Sequence, residues 1–593
     1  MTSVAQTLRV ALAQLHLTVG VDDETLTKNT TAIRVAYQRA LADKCDIVVA
    51  PELAVCGYSP EDLLLREHVQ KVITAAGDQL CQDILSSDAD APTLFFGSPR
   101  MAKSTPGSRG EQIFPQGLES RTTLDLEDET LANAIVVVNP RDQSINSVYK
   151  MHLPNWSVFD EARWFAAATR VAEPIDIAGV NVGVLNCRDV WKESSTADLV
   201  SLGAQIILVP NASPYANARH IERVTTVCTY AKKYGIPFVY VNMVESCDEV
   251  VFDGGSFVVD ASGEVLANAC RFEQDFVVVD VPIPSGIEIE RNLTLSKATA
   301  SPDLSASLLH DDFEPSEAYR AIVLSLREYI NSIDLDVHVA LGLSGGVDSA
   351  LVATIAVDAL GADRVHGVLL PSQFTSQRSI DDAHQLVKNL GITTETISIE
   401  KLHETASQEF SLDVLPGIVS ENVQARLRGM TLMMLSNSKG YVILATSNKS
   451  ESAVGYFTLY GDSVGGFAPI KDVYKTHIYE LCAWRNGSLK FSTASPIPQS
   501  IINRAPTAEL RDGQTDEESL YPYDLLDAVL IRFVDYDLGI DEIVAQGYDR
   551  EIVTHIAQLV IASEFKRKQT CIGPRLTRRN FGKSRRIPIS AHW

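Results

Sequence analysis

Short apolar runs recur along the first half of the chain, each closed by a polar or turn-forming residue. "LRVALAQL", "CDIVVAPEL", "TLFFGSP", "AIVVVNP", "VNVGVLNC", "AQIILVPNAS" and "PFVYVNMV" predict buried strands, with helical stretches after most of them. "GGSFVVDASGEVLANA" and "DFVVVDVPI" predict later strands, the first split by a turn at Ser262-Gly263. Strands alternating with helices predict an α/β layered domain over residues 1–283, with functional residues on loops at strand ends. Residues 284–315 are polar, small and proline-spotted, and predict a linker. Beyond it, "EAYRAIVLSLREYINSI" has the period of an amphipathic helix. "VHVALGL", "VHGVLLP", "TTETISI" and "GYVILAT" follow, separated by helical patterns, and predict a doubly wound parallel sheet within 316–593. The stretch 101–130 breaks the pattern, being polar and rich in turn formers, and reads as a surface insertion, with an oligomer contact as the alternative.

Length agrees with two domains, since 593 residues exceed what one core organises. The formal net charge of -25 argues against a nucleic-acid scaffold, which would carry a basic face. Nine cysteines are scattered without a CxxC pair or zinc-ligand spacing, as expected of buried thiols in a reducing compartment. The N-terminus has no basic-then-apolar signal pattern, and no apolar run approaches the roughly 20 residues that span a bilayer. These features predict a cytoplasmic protein without a membrane partner.

The chemistry is concentrated in a few stretches. "LGLSGGVDSA" lies between an apolar strand pattern and a helical one. A helix start offers free N–H groups and the positive end of a dipole to an anion. Gly345 and Gly346 let the backbone curl, while Ser344 and Ser349 supply hydroxyls. Asp348 would repel phosphate and therefore calls for a bridging divalent cation. The lysine of a Walker loop is absent. The whole S-G-G-x-D-S pattern resembles the loop of the ATP pyrophosphatases. That resemblance implies cleavage of ATP between its α and β phosphates, with Gly342, Leu343, Ser344, Gly345, Gly346, Val347, Asp348 and Ser349 around the nucleotide.

Four further stretches, "ENVQARLRGMTLMML", "ATSNKSESAVGYFTLYGDSVGGFAPIKDVYKT", "PTAELRDGQTDEESLYPYDLLD" and "SEFKRKQTCIGPRLTRRNFG", are similar to NAD synthetases, so that residues 340–586 resemble that family. The resemblance implies that Asp348 and Glu451 hold Mg2+ and that Thr446, Lys475 and Thr507 meet ATP or its phosphates. Asn422, Glu451 and Lys566 are implied near deamido-NAD. Lysines suit polyphosphate as point charges. Arg426 and Arg428 read as partners of surface acids and are not assigned to the site.

The first half resembles the nitrilase superfamily, and specifically the glutaminase domain fused to NAD synthetase. "APELAVCGYSPEDLL" supplies Glu52, "VYKMHLPNWSVFDEARWF" Lys150 and "VGVLNCRDVW" Cys187. Amide hydrolysis needs those three types: a thiolate nucleophile, a carboxylate to move its proton, and a cation for the oxyanion. "VPNASPYANARHIER" places Ser213 and Arg219 where that family binds glutamine, and Trp156 is expected as an aromatic wall. Cys56, without a base partner, reads as a core thiol. The implied substrates are deamido-NAD, ATP and glutamine or ammonia, with a homo-oligomer expected.

Two positions depart from the resemblance. Relatives usually read C-E-D at the nucleophile and N-Y after K-x-x-L-P, where this chain has Arg188 and Trp156. Other readings stay open at this point. Asparagine synthetase needs a cysteine at the mature N-terminus, where residue 2 is Thr2; GMP synthetase carries a G-x-C-x-G elbow, whereas Cys187 sits in "LNCRD". A nucleotide-binding regulatory module attached to a nitrilase is the reading of another class, and intact Asp348, Glu451 and Lys475 argue against it.

Overall fold

The computed structural model describes residues 6–103, 129–284, 313–412, 417–488, 491, 494–507, 509–511 and 520–590. The expected linker lies outside them apart from its ends, and so does 104–128 of the expected insertion. The chain divides into two compact units, Met1–Glu245 with Phe252–Leu304, and Ser246–Val251 with Ser305–Trp593.

The first unit is built on two six-stranded sheets. In chain order the strands are β1 (Gln6–Gln14), β2 (Ile47–Val49), β3 (Thr93–Lys103), β4 (Glu129–Asn139), β5 (Ser144–Tyr149), β6 (Ile175–Ile177), β7 (Val180–Val184), β8 (Ile206–Pro210), β9 (Phe238–Val241), β10 (Val244–Cys247), β11 (Val250–Asp253), β12 (Phe257–Val259), β13 (Val265–Asn268) and β14 (Asp275–Ile283). One sheet runs β14-β1-β2-β3-β4-β5, the other β13-β12-β9-β8-β7-β6, and β10-β11 is a separate hairpin whose residues 246–251 belong to the second unit. Val10, Leu12, Val49, Phe95 and Val137 of the first sheet share a core with Val182, Leu208, Val239 and Val258 of the second. The opposite face of the second sheet packs against helices α3 (Glu193–Ser201) and α4 (Arg219–Tyr234) through Leu199, Val200, Val227 and Ala231. Helices α1 (Asp23–Ala42) and α2 (Glu67–Leu85) carry buried stripes such as Leu26, Ile33, Tyr37 and Ile73, Leu80, Ile84. Apolar residues on both faces are why these strands read as continuous runs.

β5 and β6 are not in the expected set, because "SINSVY" and "IDI" carry polar residues on one face and no apolar run. The ends of the expected insertion are strand rather than loop: β3 and β4 pair antiparallel out to Lys103 and Glu129, so the segment connects two neighbours.

The second unit holds a parallel sheet of β15 (Val339–Gly342), β16 (Val365–Leu369), β17 (Thr393–Thr396) and β18 (Val442–Ile443), ordered β17-β16-β15-β18. Chain order reverses between β15 and β18. Such a switch point opens a crevice at the strands' carboxyl ends. Its helices include α5 (Pro315–Ile333), α6 (Val347–Leu360), α7 (Gln377–Leu390), α8 (Glu400–Phe410), α9 (Gly417–Lys439), α10 (Lys449–Val454) and α11 (Lys475–Gly487). No helix among the described residues is long and apolar enough to cross a membrane.

Candidate active sites

In the first unit Glu52, Lys150 and Cys187 come from three strand ends. Glu52 follows β2, Lys150 follows β5, and Cys187 opens a single 3-10 turn, Cys187–Trp191, after β7. Cys187 has a φ of +47°, and Leu53, next to Glu52, has +48°. Left-handed backbone at a residue with a Cβ is costly and tends to cluster at functional sites. The Glu52 turn passes so close to β3 that a Cβ on Gly97 would lie 2.0 Å from the Leu53 nitrogen, so only glycine fits there.

Lys150 and Glu52 are fully buried. The Lys150 ammonium donates to Glu52 Oε1 at 2.6 Å and to Glu161 Oε1 at 2.8 Å. An ammonium has three N–H donors, so one remains for a ligand. Burial works against its charge, but Glu161, Glu52 and Cys187 together hold the lysine well above its ordinary range. Glu52 Oε1 also accepts from Asn133 Nδ2 at 2.7 Å, and Oε2 from the Ala212 N–H at 3.0 Å. Burial, with Glu52 next, pushes the Cys187 thiol far up. Cys187 therefore rests as a thiol, with the Glu52 carboxylate beside it. Cys56 is also buried, its thiol pushed up to about 12 by burial, and its sulfur donates weakly to the Leu53 and Gly57 carbonyls.

The residues expected around glutamine behave differently from one another. Trp156 is exposed and lies edge-on to Phe159. Ser213 is buried; its hydroxyl accepts from Arg223 Nε at 3.1 Å and its N–H donates to Asn242 at 2.9 Å. Arg219, the first residue of α4, pairs with Glu222 at 2.8 Å and lies over the Trp191 ring. Arg223, not singled out in the sequence, is fully buried and braces this loop through the Ser213 and Pro214 carbonyls and Asp253.

In the second unit a cavity of about 480 Å³ opens at the β15/β18 switch point. Gly342, Leu343, Ser344, Gly346, Val347, Asp348 and Ser349 line it, with Thr446, Lys475, Thr507, Asn422, Glu451 and Lys566. Gly345 does not line it. Its φ is +76° and a Cβ there would lie 2.3 Å from the Ser379 carbonyl oxygen, so it serves the passage of the chain past α7. No side chain caps α6, whose start therefore presents a dipole end to the cavity. Ser344 Oγ accepts from the Gly346 N–H at 3.2 Å, and the Ser349 hydroxyl donates to the Gly346 carbonyl at 3.1 Å.

The carboxylates meet around one lysine. Lys475 donates to Asp348 Oδ2 in a short ion pair and to Glu451 Oε1 at 3.4 Å. Burial opposes its charge, and Asp348 and Glu451 override that and raise it well above the ordinary lysine value. Asn448 donates to Asp348 Oδ1 at 2.9 Å while its own side chain caps α10 by accepting from the Glu451 N–H at 2.9 Å. That capping box sets both acids at once. Asn422 accepts from the Thr458 hydroxyl, and Lys566 donates to the Gly455 and Phe457 carbonyls.

Two family models match the chain, carbon-nitrogen hydrolase over residues 9–291 and NAD synthase over 318–570. The glutamine-dependent NAD(+) synthetase of Rhodobacter capsulatus is 38% identical over 99% of this chain and 98% of its own length. That of Xanthomonas campestris is 40% identical, with the same shares covered. The chain belongs to the glutamine-dependent NAD(+) synthetases. Among solved structures, the family's Acinetobacter baumannii member, in complex with ADP, aligns with a TM-score of 0.70 at 33% identity, covering 98% of each chain. The Cytophaga hutchinsonii member aligns at 0.74 with 20% identity, over 99% of this chain and 98% of its own, which speaks for the fold.

Within this family member, the structure adds residues that the sequence reading missed. Glu161 is one of two adjacent acids in "FDEAR", and only burial separates them. It accepts from the Tyr58 hydroxyl as well as from Lys150, and burial raises its carboxyl. Arg428 does not behave as expected of a surface arginine. It donates to the Leu370 carbonyl at 3.1 Å and Ser372 Oγ at 3.3 Å, lines the cavity, and burial lowers it to about 10. Arg504 donates to Ser379 Oγ at 2.6 Å and pairs with Glu509, bracing the stretch that carries Thr507.

Proposed function

We propose that this chain converts deamido-NAD to NAD by ATP-dependent amidation, with ammonia made from glutamine in its own first unit. In that unit the Cys187 sulfur attacks the side-chain amide carbon of glutamine. Glu52 takes the thiol proton and returns it to departing ammonia. The free N–H of Lys150 faces the developing oxyanion, and water then releases glutamate from the thioester. Trp156, Ser213 and Arg219 belong to the glutamine side of this centre. Arg219 recognises the α-carboxylate, and Ser213 acts through the shape of its loop.

In the second unit the 342–349 loop and the start of α6 hold the phosphates of ATP, joined by Thr446, Lys475 and Thr507. Asn422, Glu451 and Lys566 receive deamido-NAD. The nicotinate carboxylate attacks the α-phosphorus, pyrophosphate leaves, and ammonia displaces AMP from the acyl-adenylate. The Asp348 and Glu451 carboxylates, drawn to one cation position, are a donor set suited to a hard divalent ion. Asp348 and Glu451 would hold Mg2+ there, which would supply positive charge to the phosphates, and Lys475 would serve the polyphosphate as a point charge. ADP in the Acinetobacter baumannii relative supports a nucleotide in this cavity. The reading includes the domain limits 1–283 and 316–593, a cytoplasmic setting consistent with nine free cysteines, and a homo-oligomer, for which exposed Met430 and Met434 of α9 offer apolar surface.

The observation that carries this reading is the meeting of Asp348, Glu451 and Lys475 beside the S-G-G-x-D-S loop, in a chain that also buries a Cys–Glu–Lys centre. The test is NAD and pyrophosphate formation from deamido-NAD and ATP, with glutamine or ammonium as nitrogen source. Both sources support turnover by the native chain. Cys187→Ala abolishes the glutamine arm and keeps the ammonium arm; loss of both in a folded variant overturns the assignment.

A further inference from the structure

Asn133 is hydrogen-bonded to Glu52, to Lys150 and to the residue before Cys187. It lies in β4, fully buried. Its backbone carbonyl accepts the Lys150 N–H at 2.9 Å. Its side-chain NH2 donates to Glu52 Oε1 at 2.7 Å, and its Oδ1 accepts from Asn186 Nδ2 at 3.0 Å. Asn186, also fully buried, is the residue before Cys187. One strand residue thus reaches the turn of the base, the strand end of the lysine and the turn of the nucleophile.

We propose that Asn133 is a positioning residue for amide hydrolysis, fixing the plane of the Glu52 carboxylate and tying it to the turn that carries Cys187. The inference rests on the reading of Glu52 as the base. An ionised carboxylate only accepts hydrogen bonds, so Asn133 must turn its NH2 toward Glu52 and its oxygen toward Asn186. The donor set around Glu52, namely Lys150 Nζ and Asn133 Nδ2 on Oε1 and the Ala212 N–H on Oε2, satisfies the anion and leaves a lone pair for the Cys187 thiol. Lys150, hydrogen-bonded at once to Glu52 and Glu161, reaches only Oε1 of Glu52 and by itself leaves the carboxylate free to turn about that contact. The amide of Asn133, held at its other end by Asn186, removes that freedom. A base displaced by an ångström from its proton loses about a hundredfold in rate.

The test is glutamine hydrolysis measured against pH for the full chain and for Asn133→Ala and Asn133→Leu. The charged and titratable groups facing Glu52 are Lys150, Glu161, Tyr58 and Cys187, and all stay in place. The expected result is a fall in kcat of about ten- to a hundredfold with KM changed by less than about twofold. The acid limb of the kcat profile shifts, which a merely structural loss does not produce. NAD formation from ammonium, which bypasses this centre, reports the fold. Native kcat and an unmoved acid limb overturn the proposal, as does a joint loss of kcat, KM and thermal stability without a limb shift. If both variants fail to fold, Asn186→Ala loosens only the far end of the bridge. A smaller fall with the limb moved the same way supports the proposal, and native behaviour overturns it. Glu52→Gln separates the two readings: if it retains glutamine hydrolysis, the assignment of the base fails whatever Asn133 does.

Discussion

The guanidinium of Arg188 lies over the indole of Trp156, 5.2 Å from the ring centre. These are the two positions at which the stretches around the nucleophile and the lysine depart from the pattern C-E-D and N-Y, and they pack on each other. The two positions therefore form a pair, a cation over an aromatic face, an attraction of about 0.5–1 kcal/mol where water has access. Arg188 is half-buried, and burial lowers its guanidinium. A cation beside Cys187 opposes the α-ammonium of glutamine. Arg188→Glu is expected to lower KM for glutamine and leave ammonium-supported turnover unchanged. Steady-state kinetics with each nitrogen source check this. A rise in the glutamine KM would give Arg188 an active part in substrate binding.

Lys150→Met keeps the bulk of the side chain and removes its charge. Glu52 and Glu161 then face each other without the cation that joins them. Loss of one oxyanion donor costs about 10²–10³ in rate, and kcat for glutamine hydrolysis should fall at least that far. Breaking a buried ion pair by removing one partner also costs about 3–5 kcal/mol of stability, to be read in a denaturant titration.

Asp348→Asn removes one charge from the carboxylates around Lys475 and keeps the contact with Asn448 available. NAD formation should fall with glutamine and with ammonium alike, while glutamine hydrolysis continues. Parallel assays of glutamate and NAD read the two arms. Undiminished ammonium-driven turnover would remove Asp348 from the proposed cation site.

His220 gives a pH dependence with a definite sign. Burial, then Arg271 and Arg223, lowers its imidazole to about 4 against an ordinary 6.5, with Asp253 only partly offsetting them. The unfolded chain binds the proton more readily, so stability is full above pH 6.5 and is lost as pH falls toward 4. The loss from this group reaches about 2 kcal/mol by pH 5. His220→Gln should flatten that part of the stability profile, measured as urea midpoints at pH 5 and pH 7.

The strands and both centres were legible because their signals are local. Apolar runs mark β1, β2, β8, β9, β15 and β16, and a strand followed by "SGGVDS" marks the candidate anion loop wherever the rest of the chain goes. Strands such as β5, whose exposed face is polar, left no run to read. Ser213 was assigned from its stretch, but its hydroxyl is taken by Arg223, a residue whose burial no spacing announces.

By itself the sequence determined which chemical groups the chain carries and the short-range geometry of their turns. A thiol after β7, a carboxylate after β2, a lysine after β5 and a glycine-serine loop after β15 follow from covalent order and backbone preference. Tertiary structure decided which of many equivalent side chains serve those groups. Asn133 differs from other asparagines, and Arg428 from Arg426, only in what folding brings near them, and it is burial that sets Glu161 apart from the adjacent Asp160. The physical reason is desolvation. A buried amide or charge must find its partner within hydrogen-bond reach, and for Asn133 and Glu52, or Asp348 and Lys475, that partner comes from a remote stretch of chain.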